Sequence, residues 1–351
     1  MRSPLLVLEK TRGFVLVVVW ALVLSAAAEE GPSSPSFIKG MTVSCQTSGW
    51  EWATPEMAKT LDQLKSLGVN SFAIHPYAQI ENDGHVRFRS GDDFRHISVP
   101  LDWARERGLS VMLIPHIAYW GTKFLWRGEI NFQTAEEWDR FFGDYQSWIV
   151  QMAKVAEAHG AQTFCIGLEF TYAQKFDARW RQIIAAIREV YHGKLTYGGN
   201  WDSFQEVTFW DALDYIGVLA YFPLTKSVDP SEAEIAAAWQ ARCAELTAYS
   251  KAHGDKKFLF VEIGYNVSAR AAAEPWAFQM GGDHAEEIQQ RCIGVALDLP
   301  RHCPTIAGMY WWKWFPELPS HEEENYRLQT PAIKALIAKH WKEASPALGT
   351  R

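Results

Sequence analysis

The sequence predicts one α/β domain in which eight parallel strands close into a barrel surrounded by helices. Short apolar runs of strand length alternate with longer segments of helical periodicity, giving eight strand–helix alternations. The apolar runs lack the polar alternation of half-exposed strands, and strands apolar on both faces belong to parallel sheets covered by helices. Eight such units close into a (β/α)8, or TIM, barrel. A doubly wound open sheet is the alternative, but no GxGxxG motif or phosphate-binding loop follows any strand.

The elements can be placed by their flanking residues. We predict strands at 38–44, 69–75, 109–115, 162–168, 195–199, 214–220, 257–261 and 305–312. The second helix contains Pro100, which is best accommodated in a first turn, so we expect it to run from Pro100 to Arg107. The other helices are predicted at 54–67, 135–159, 177–191, 231–253, 284–297 and 330–341.

The first 28 residues have the layout of a secretory signal peptide. Three basic residues precede an apolar run from Phe14 to Leu24, and small residues follow up to Ala28. The run is shorter than the roughly 20 apolar residues of a membrane span. We therefore expect cleavage after Ala28, a secreted or periplasmic protein without stable membrane association, a linker at 29–36 and a barrel at 37–345. An uncleaved anchor is the alternative.

Charge and cysteine spacing argue against several classes of ligand and partner. The formal charge is −7, and residues 1–28 carry three basic and one acidic side chain, so the remainder is close to −9. No long basic block occurs, and we expect no nucleic-acid partner. The five cysteines show no CxxC spacing, so we expect neither a metal nor another cofactor. Cys45 and Cys165 are interpreted as core residues. An oxidising compartment would allow one disulfide among Cys243, Cys292 and Cys303.

Two of the predicted strands end in a glutamate. The apolar run Phe164–Leu168 leads to Glu169, and the run Phe258–Val261 leads to Glu262. Strands 4 and 7 of a barrel face each other across the mouth that carries active sites, so the two side chains are predicted to converge. Glycoside hydrolysis needs such a pair, because one carboxyl protonates the leaving oxygen while the other stays ionised and attacks. Two unrelated glutamates in helix caps or rim ion pairs are the alternative.

Further motifs follow the later strands: Gly198-Gly199-Asn200-Trp201-Asp202, Phe209-Trp210-Asp211, Leu213-Asp214-Tyr215-Ile216-Gly217, Ala220-Tyr221-Phe222-Pro223, Val261-Glu262-Ile263-Gly264-Tyr265 and Tyr310-Trp311-Trp312-Lys313-Trp314. With these motifs the chain resembles glycoside hydrolases of clan GH-A, the retaining barrels with carboxylates on strands 4 and 7. Within that clan it is most similar to family 113, the β-mannanase family. The resemblance covers nearly the whole chain after the signal and is looser over strands 1–3.

The resemblance implies a role for four residues. Glu169 matches the acid/base and Glu262 matches the nucleophile. Tyr221 matches the tyrosine that hydrogen-bonds the nucleophile and helps to keep it ionised. Trp312 matches the aromatic residue that forms the floor of the −1 sugar site.

Other residues at strand ends are candidate sugar ligands. Leu168 stands where most clan members have an asparagine that binds the sugar 2-hydroxyl, and Asn200 is expected to take over that contact. His116 ends strand 3 and either binds a sugar hydroxyl or is structural, whereas His75 is interpreted as structural. Flat apolar faces suit stacking on sugar rings, and we expect two or three of these tryptophans to contact substrate: Trp50, Trp120, Trp126, Trp201 and Trp314.

The sequence therefore predicts a secreted, monomeric, retaining hydrolase of a β-1,4-linked polysaccharide or oligosaccharide, with mannan as the first choice of substrate. Glucan, xylan or an amino-sugar polymer is the alternative, because recognition at the 2-position distinguishes mannose from glucose and Leu168 departs from the clan there. A non-catalytic carbohydrate-binding barrel is the alternative from another class. Asn266-Val267-Ser268 matches a glycosylation sequon, which is informative only in a host that glycosylates secreted proteins.

Overall fold

Eight parallel strands form a closed barrel in the computed structural model, which describes residues 37–88, 94–316 and 325–342. The barrel strands, in order around the ring, are β1 Ile38–Val43, β2 Ser71–Ile74, β5 Ser110–Leu113, β7 Thr163–Leu168, β8 Lys194–Asn200, β9 Ile216–Leu219, β10 Phe258–Ile263 and β11 Ile306–Trp314. Every neighbouring pair is parallel, including β11 with β1. The predicted (β/α)8 barrel is confirmed. The predicted signal peptide, the linker and residues 343–345 lie outside the described residues.

Eight α-helices accompany the strands in the described residues: α1 Pro55–Ser66, α2 Arg95–Glu106, α3 Ala135–Ala158, α4 Asp177–Arg188, α5 Glu232–Ala252, α6 Ala285–Leu297, α7 Leu299–His302 and α8 Pro331–Trp341. Capping boxes start the two longest helices. The Thr134 and Ser231 side chains accept the backbone N–H groups of Glu137 and Glu234, whose carboxylates accept in return. Among these helices, none has the length and apolar character that would let it cross a membrane.

Two predictions about the helices were wrong. α2 begins at Arg95 rather than at Pro100, and Ile97, Leu101 and Ala104 bury one face on both sides of the proline. Packing of that face stabilises the turn before Pro100. The helix that strict alternation implied between the fifth and sixth strands is also missing, since residues 201–215, all of them described, contain two short 3-10 turns in place of an α-helix.

The barrel interior is filled with side chains below the level of the site. Cys165, Leu168, Leu259 and Tyr310 belong to this buried interior cluster. Tyr310 fits because the strand beside it carries Gly40, where an added Cβ would lie 2.4 Å from the tyrosine ring. The filled interior restricts substrate to the carboxyl ends of the strands, as in other barrels of this kind.

The cysteines divide into one bonded pair and three free thiols. Cys243 of α5 and Cys303, just after α7, form a disulfide with a Cα–Cα distance of 5.8 Å, which settles the choice left open by the sequence. Cys292 is buried and free, Cys165 is buried as predicted, and Cys45 is half-buried at the edge of the core. The disulfide connects outer segments and lies apart from the barrel interior.

A small sheet extends the barrel above β2 and β5. It consists of β3 Tyr77–Ile80, β4 Val86–Arg87 and β6 His116–Ala118, with β3 between the other two. β3 and β6 run parallel, and their register places Tyr77 opposite His116. The extension therefore holds two polar side chains in fixed positions on the carboxyl side of the barrel.

Candidate active site

Glu169 lies in a turn directly after β7, the fourth strand of the barrel. Its backbone has φ +62°, in the left-handed region that is unfavourable for residues other than glycine. Its N–H donates to the Gly198 carbonyl at 2.9 Å, and its own carbonyl accepts the N–H of Thr171 at 2.9 Å. Such a backbone costs roughly 1–3 kcal/mol, and strain of this kind concentrates at functional sites.

Glu262 lies inside β10, the seventh barrel strand, one residue before its end. Its side chain is 7% exposed, compared with 19% for Glu169. The Tyr221 hydroxyl donates to Oε2 of Glu262 at 3.0 Å, and Nε2 of His116 lies 3.6 Å from Oε1. Tyr221 thus contacts the glutamate that the resemblance pairs with it.

Arg127 connects the two glutamates and was not recognised in the sequence. Its Nη1 donates to Oε2 of Glu169, and its Nη2 donates to Nδ1 of His116 at 2.9 Å. His116 in turn faces Glu262, so one chain of contacts runs from Glu169 to Glu262. Arginine 127 follows Trp126 in a long loop, where nothing in the sequence separates it from a surface arginine.

The charges of this cluster depend on one another. Burial and the neighbouring charge of Glu169 raise the pKa of Glu262 to about 8, against the opposing effects of Arg127, the Tyr221 hydrogen bond and Lys313. Burial would lower the pKa of Arg127, but charges that include Glu169 and Glu262 outweigh it and raise that pKa. Near neutral pH Glu262 therefore favours its protonated form, beside the charged guanidinium of Arg127.

The two histidines of the site are neutral. Burial, Arg127 and His75 hold the pKa of His116 well below its usual value. Burial, Lys313 and Arg127 lower the pKa of His75 to about 3. The rings stack with centroids 4.8 Å apart, and Trp312 packs against both, at 5.1 Å from His75 and 5.9 Å from His116. His75 is completely buried, which fits its interpretation as structural.

The tryptophans proposed as sugar contacts lie in different environments. Trp201 stacks on Trp276 with ring centroids 5.0 Å apart and an interplanar angle of 19°, and Trp276 was not singled out in the sequence. Trp50 and Trp120 are 58% and 59% exposed on the loops after β1 and β6. Trp126 is also exposed, so these positions remain candidates. Trp314 is not among the two or three expected contacts, because its ring is completely buried in the core.

The position before the acid/base candidate is apolar and enclosed. Leu168 is completely buried and belongs to the barrel-interior cluster. Asn200, at the end of β8, is nearly buried, and its amide lies 3.4 Å from the Thr171 hydroxyl in the turn that carries Glu169. Asn200 is thus next to that turn, while its contact with a sugar stays a prediction. Across the described segments, no cluster of three or more metal-ligating side chains is present.

Asn266 of the sequon is a buried structural residue. Its amide nitrogen donates to the carbonyls of Ala277, Phe278 and Gln279 at 3.1–3.4 Å. Its amide oxygen accepts the N–H of Tyr326 at 3.0 Å. Every polar atom of the side chain is used to hold the loop after β10, so a glycan is incompatible with this fold.

Carboxyl side chains at the ends of the fourth and seventh barrel strands, linked by an arginine and a histidine, are compatible with glycoside hydrolysis. The sequence profile of Glycoside Hydrolase Family 113 matches residues 41–329. The chain therefore belongs to this family and is a glycoside hydrolase, which confirms the resemblance found in the sequence. Family membership favours an enzyme over the non-catalytic barrel. No match was found among curated protein sequences.

Solved structures agree with this assignment. A GH113 β-mannanase from Alicyclobacillus acidocaldarius, in complex with ManMIm, is 26% identical with a TM-score of 0.75, over 88% of this chain and 98% of that one. A second GH113 β-1,4-mannanase, also solved as a complex, is 24% identical with a TM-score of 0.76, over 88% and 99% of the two chains. A family 5 mannosidase from Rhizomucor miehei, at 13% identity and a TM-score of 0.55, covers 89% of this chain and 95% of its own and shares the fold.

Proposed function

We propose that this protein is a secreted, retaining endo-β-1,4-mannanase in which Glu169 is the acid/base and Glu262 is the nucleophile. The observation that supports this most is the contact chain from Glu169 through Arg127 and His116 to Glu262. Two carboxyls linked in this way at the carboxyl ends of the fourth and seventh strands are the pair that a double displacement requires. The β-mannanase neighbours of the same family support mannan as the substrate.

The surroundings of the two carboxyls support this division of roles. A nucleophile attacks the anomeric carbon and must be ionised, and Glu262 is the glutamate with the Tyr221 hydroxyl donating to it. An acid/base must reach the departing sugar and later a water molecule, and Glu169 is the more exposed of the two. Glu262 therefore forms the glycosyl-enzyme, while Glu169 protonates the leaving oxygen and then deprotonates water.

In the free enzyme near neutral pH, the raised pKa of Glu262 keeps a proton on the carboxyl that must be ionised to attack. Arg127 forms an ion pair with Glu169, while burial favours a neutral Glu262. For bond cleavage the proton must lie on Glu169. A proton must therefore leave Glu262 before it attacks, and the positive charge that develops at the anomeric carbon in the transition state favours the ionised form of Glu262.

A tryptophan and its histidine support form the floor of the −1 sugar site. Trp312 is half-buried over the His75–His116 stack, and an aromatic face of this kind packs against a sugar ring. Trp201, in the loop after β8, stacks on Trp276, in the loop after β10, and the pair offers a second aromatic surface. Asn200, Trp50 and Trp120 are proposed as further polar and stacking contacts.

Leu168 favours a second candidate, a retaining hydrolase of another β-linked glycan. The side chain at this position cannot bind the sugar 2-hydroxyl, and it is buried in the barrel interior. Release of reducing ends from β-mannan, β-glucan, xylan and an amino-sugar polymer would separate the candidates. Preference for mannan supports the proposal, and preference for another polymer replaces mannan while leaving the catalytic pair unchanged.

The role assignment can be tested with alanine variants. Glu169→Ala and Glu262→Ala are each expected to lower turnover by orders of magnitude, whereas Glu189→Ala, at an exposed position of α4's end, should leave it unchanged. With an activated aryl β-glycoside, azide should rescue Glu169→Ala and give the β-glycosyl azide. An α-glycosyl azide from that variant, or near-wild-type turnover in either glutamate variant, would overturn the assignment.

Secretion is proposed from two features. The signal-like first 28 residues precede the barrel, and the Cys243–Cys303 disulfide is of the kind that forms in oxidising compartments. Expression of the full chain in a secreting host should give a protein that begins at Glu29. Amino-terminal sequencing that finds Met1 on the purified protein would contradict this part of the proposal.

A further inference from the structure

All three nitrogens of the Arg127 guanidinium donate a hydrogen bond. Nε donates to the carbonyl of Ile117 at 2.9 Å, Nη1 donates to Glu169, and Nη2 donates to His116. The guanidinium also lies 5.7 Å from the centroid of the Tyr119 ring. The planar fork of an arginine makes such a set of contacts rigid, whereas a lysine could supply the charge without the geometry.

The contact between Arg127 and His116 determines which imidazole nitrogen carries the proton. A guanidinium can only donate, so Nδ1 of His116 must be the unprotonated acceptor at 2.9 Å. His116 is buried and neutral, so its single proton is on Nε2. That N–H faces Oε1 of Glu262, with 3.6 Å between the heavy atoms. A movement of about 0.5 Å would bring it within normal hydrogen-bond distance.

We propose that Arg127 is a positioning residue that acts on both carboxyls at once. It orients Glu169 by direct contact, and by fixing the tautomer of His116 it aims a second donor, besides Tyr221, at Glu262. This inference rests on the proposed roles of the two glutamates. It adds a residue on the loop after β6 to a site otherwise built at the strand ends.

The charge of Arg127 also acts on the pair. The titratable groups that face the cluster from the other elements are His75, Tyr77, Cys165, Tyr197, Tyr221, Tyr326 and Lys313. Burial raises the pKa of these tyrosines and of Cys165 and lowers that of His75, and Lys313 is the positive charge that lowers the pKa of Glu262 besides Arg127. Removing Arg127 therefore removes one of two nearby positive charges.

The tautomer of His116 can be measured without an activity assay. Long-range proton–nitrogen NMR on the labelled wild-type enzyme should show His116 with a protonated Nε2 and an unprotonated Nδ1, assigned by loss of the signals in His116→Gln. Arg127→Met should lose this preference. A wild-type proton on Nδ1, or an unchanged tautomer in a folded Arg127→Met variant, would overturn the inference. The wild-type measurement decides the first point even where the variant fails to fold.

Kinetics separate the charge of Arg127 from its geometry. Arg127→Met should move the alkaline limb of the kcat/KM profile to higher pH by about 1 unit, because the last proton leaves the carboxyl pair later. Arg127→Lys should keep the limb in place, and both variants should lose roughly 100-fold in kcat from misplacement of the carboxyls. Arg179→Met, at a surface arginine paired with Asp139, is the matched control and should behave as wild type.

The outcomes distinguish this inference from the proposed function. Equal losses in both Arg127 variants, without a shift of the alkaline limb in Arg127→Met, would mean a purely structural role and would overturn the inference. If wild-type enzyme hydrolyses no glycan, the proposed function fails, and the NMR measurement still tests the positioning of His116. If both glutamate variants are inactive but the Arg127 variants match wild type, this inference alone fails.

Discussion

Replacing Glu262 by glutamine should stabilise the protein, and increasingly so as the pH rises. Burial and the charge of Glu169 raise the pKa of Glu262 to about 8 from an ordinary 4.5. The folded state therefore keeps a proton that the unfolded chain has released, so stability is fully present below about pH 4.5 and is lost as the pH rises through about 8. Glutamine remains neutral and can still accept the Tyr221 hydroxyl.

The size of this effect follows from the same values. A rise from 4.5 to about 8 corresponds to about 5 kcal/mol, of which about 4 kcal/mol develops between pH 5 and pH 9. For a barrel of this length, 4 kcal/mol corresponds to about 6 °C in melting temperature. A site that is destabilising in this way is common in enzymes, where stability is lost for activity.

Scanning calorimetry of wild-type, Glu262→Gln and Glu189→Gln proteins at pH 5 and pH 9 would measure it. The melting temperature of Glu262→Gln should exceed that of wild type only slightly at pH 5, and the difference should be about 6 °C larger at pH 9. Glu189→Gln removes an exposed carboxyl and should show no such growth. An advantage that stays constant or shrinks with rising pH would refute the account of a buried, proton-retaining Glu262.

Three further outcomes are expected. Replacing both Cys243 and Cys303 by serine opens a loop of 60 residues and should lower the free energy of unfolding by about 4 kcal/mol in urea titrations, and no loss would contradict a formed disulfide. Tyr221→Phe removes a hydrogen-bond donor to Glu262, so it should raise the pKa of Glu262 and reduce kcat by about 10- to 100-fold. Unchanged kinetics would count against that contact. The folded fraction secreted by a glycosylating host should carry an unmodified Asn266, and a glycopeptide at this site in that fraction would contradict its buried position.

The fold could be predicted because each barrel strand is a local signal. An apolar run such as Phe164–Leu168 identifies a strand buried on both faces, whatever its partners are. Glu169 and Glu262 could be singled out because each follows such a run, and the barrel topology then places both strand ends at one mouth. The missing helix between β8 and β9 escaped prediction because strict alternation was extrapolated across it.

The rest of the site depends on contacts that no local pattern records. Arg127 lies in a loop, and its importance comes from reaching Glu169, 42 positions further along the chain. Trp312 and Trp314 are two residues apart in one strand, so a regular pleat predicts the same face for both, yet Trp312 is half-buried while Trp314 is completely buried. Asn266 matched a sequon by its neighbours, while its three carbonyl partners come from a loop about a dozen residues away.

The central claim, that Glu262 attacks the sugar while Glu169 assists, is tested most directly by trapping the intermediate. The enzyme would be incubated with a 2-deoxy-2-fluoro-β-mannosyl fluoride and digested, and the labelled peptide would be sequenced by mass spectrometry. We expect a single covalent glycosyl adduct on Glu262. An adduct on Glu169, or release of product with inverted anomeric configuration and no adduct, would contradict it.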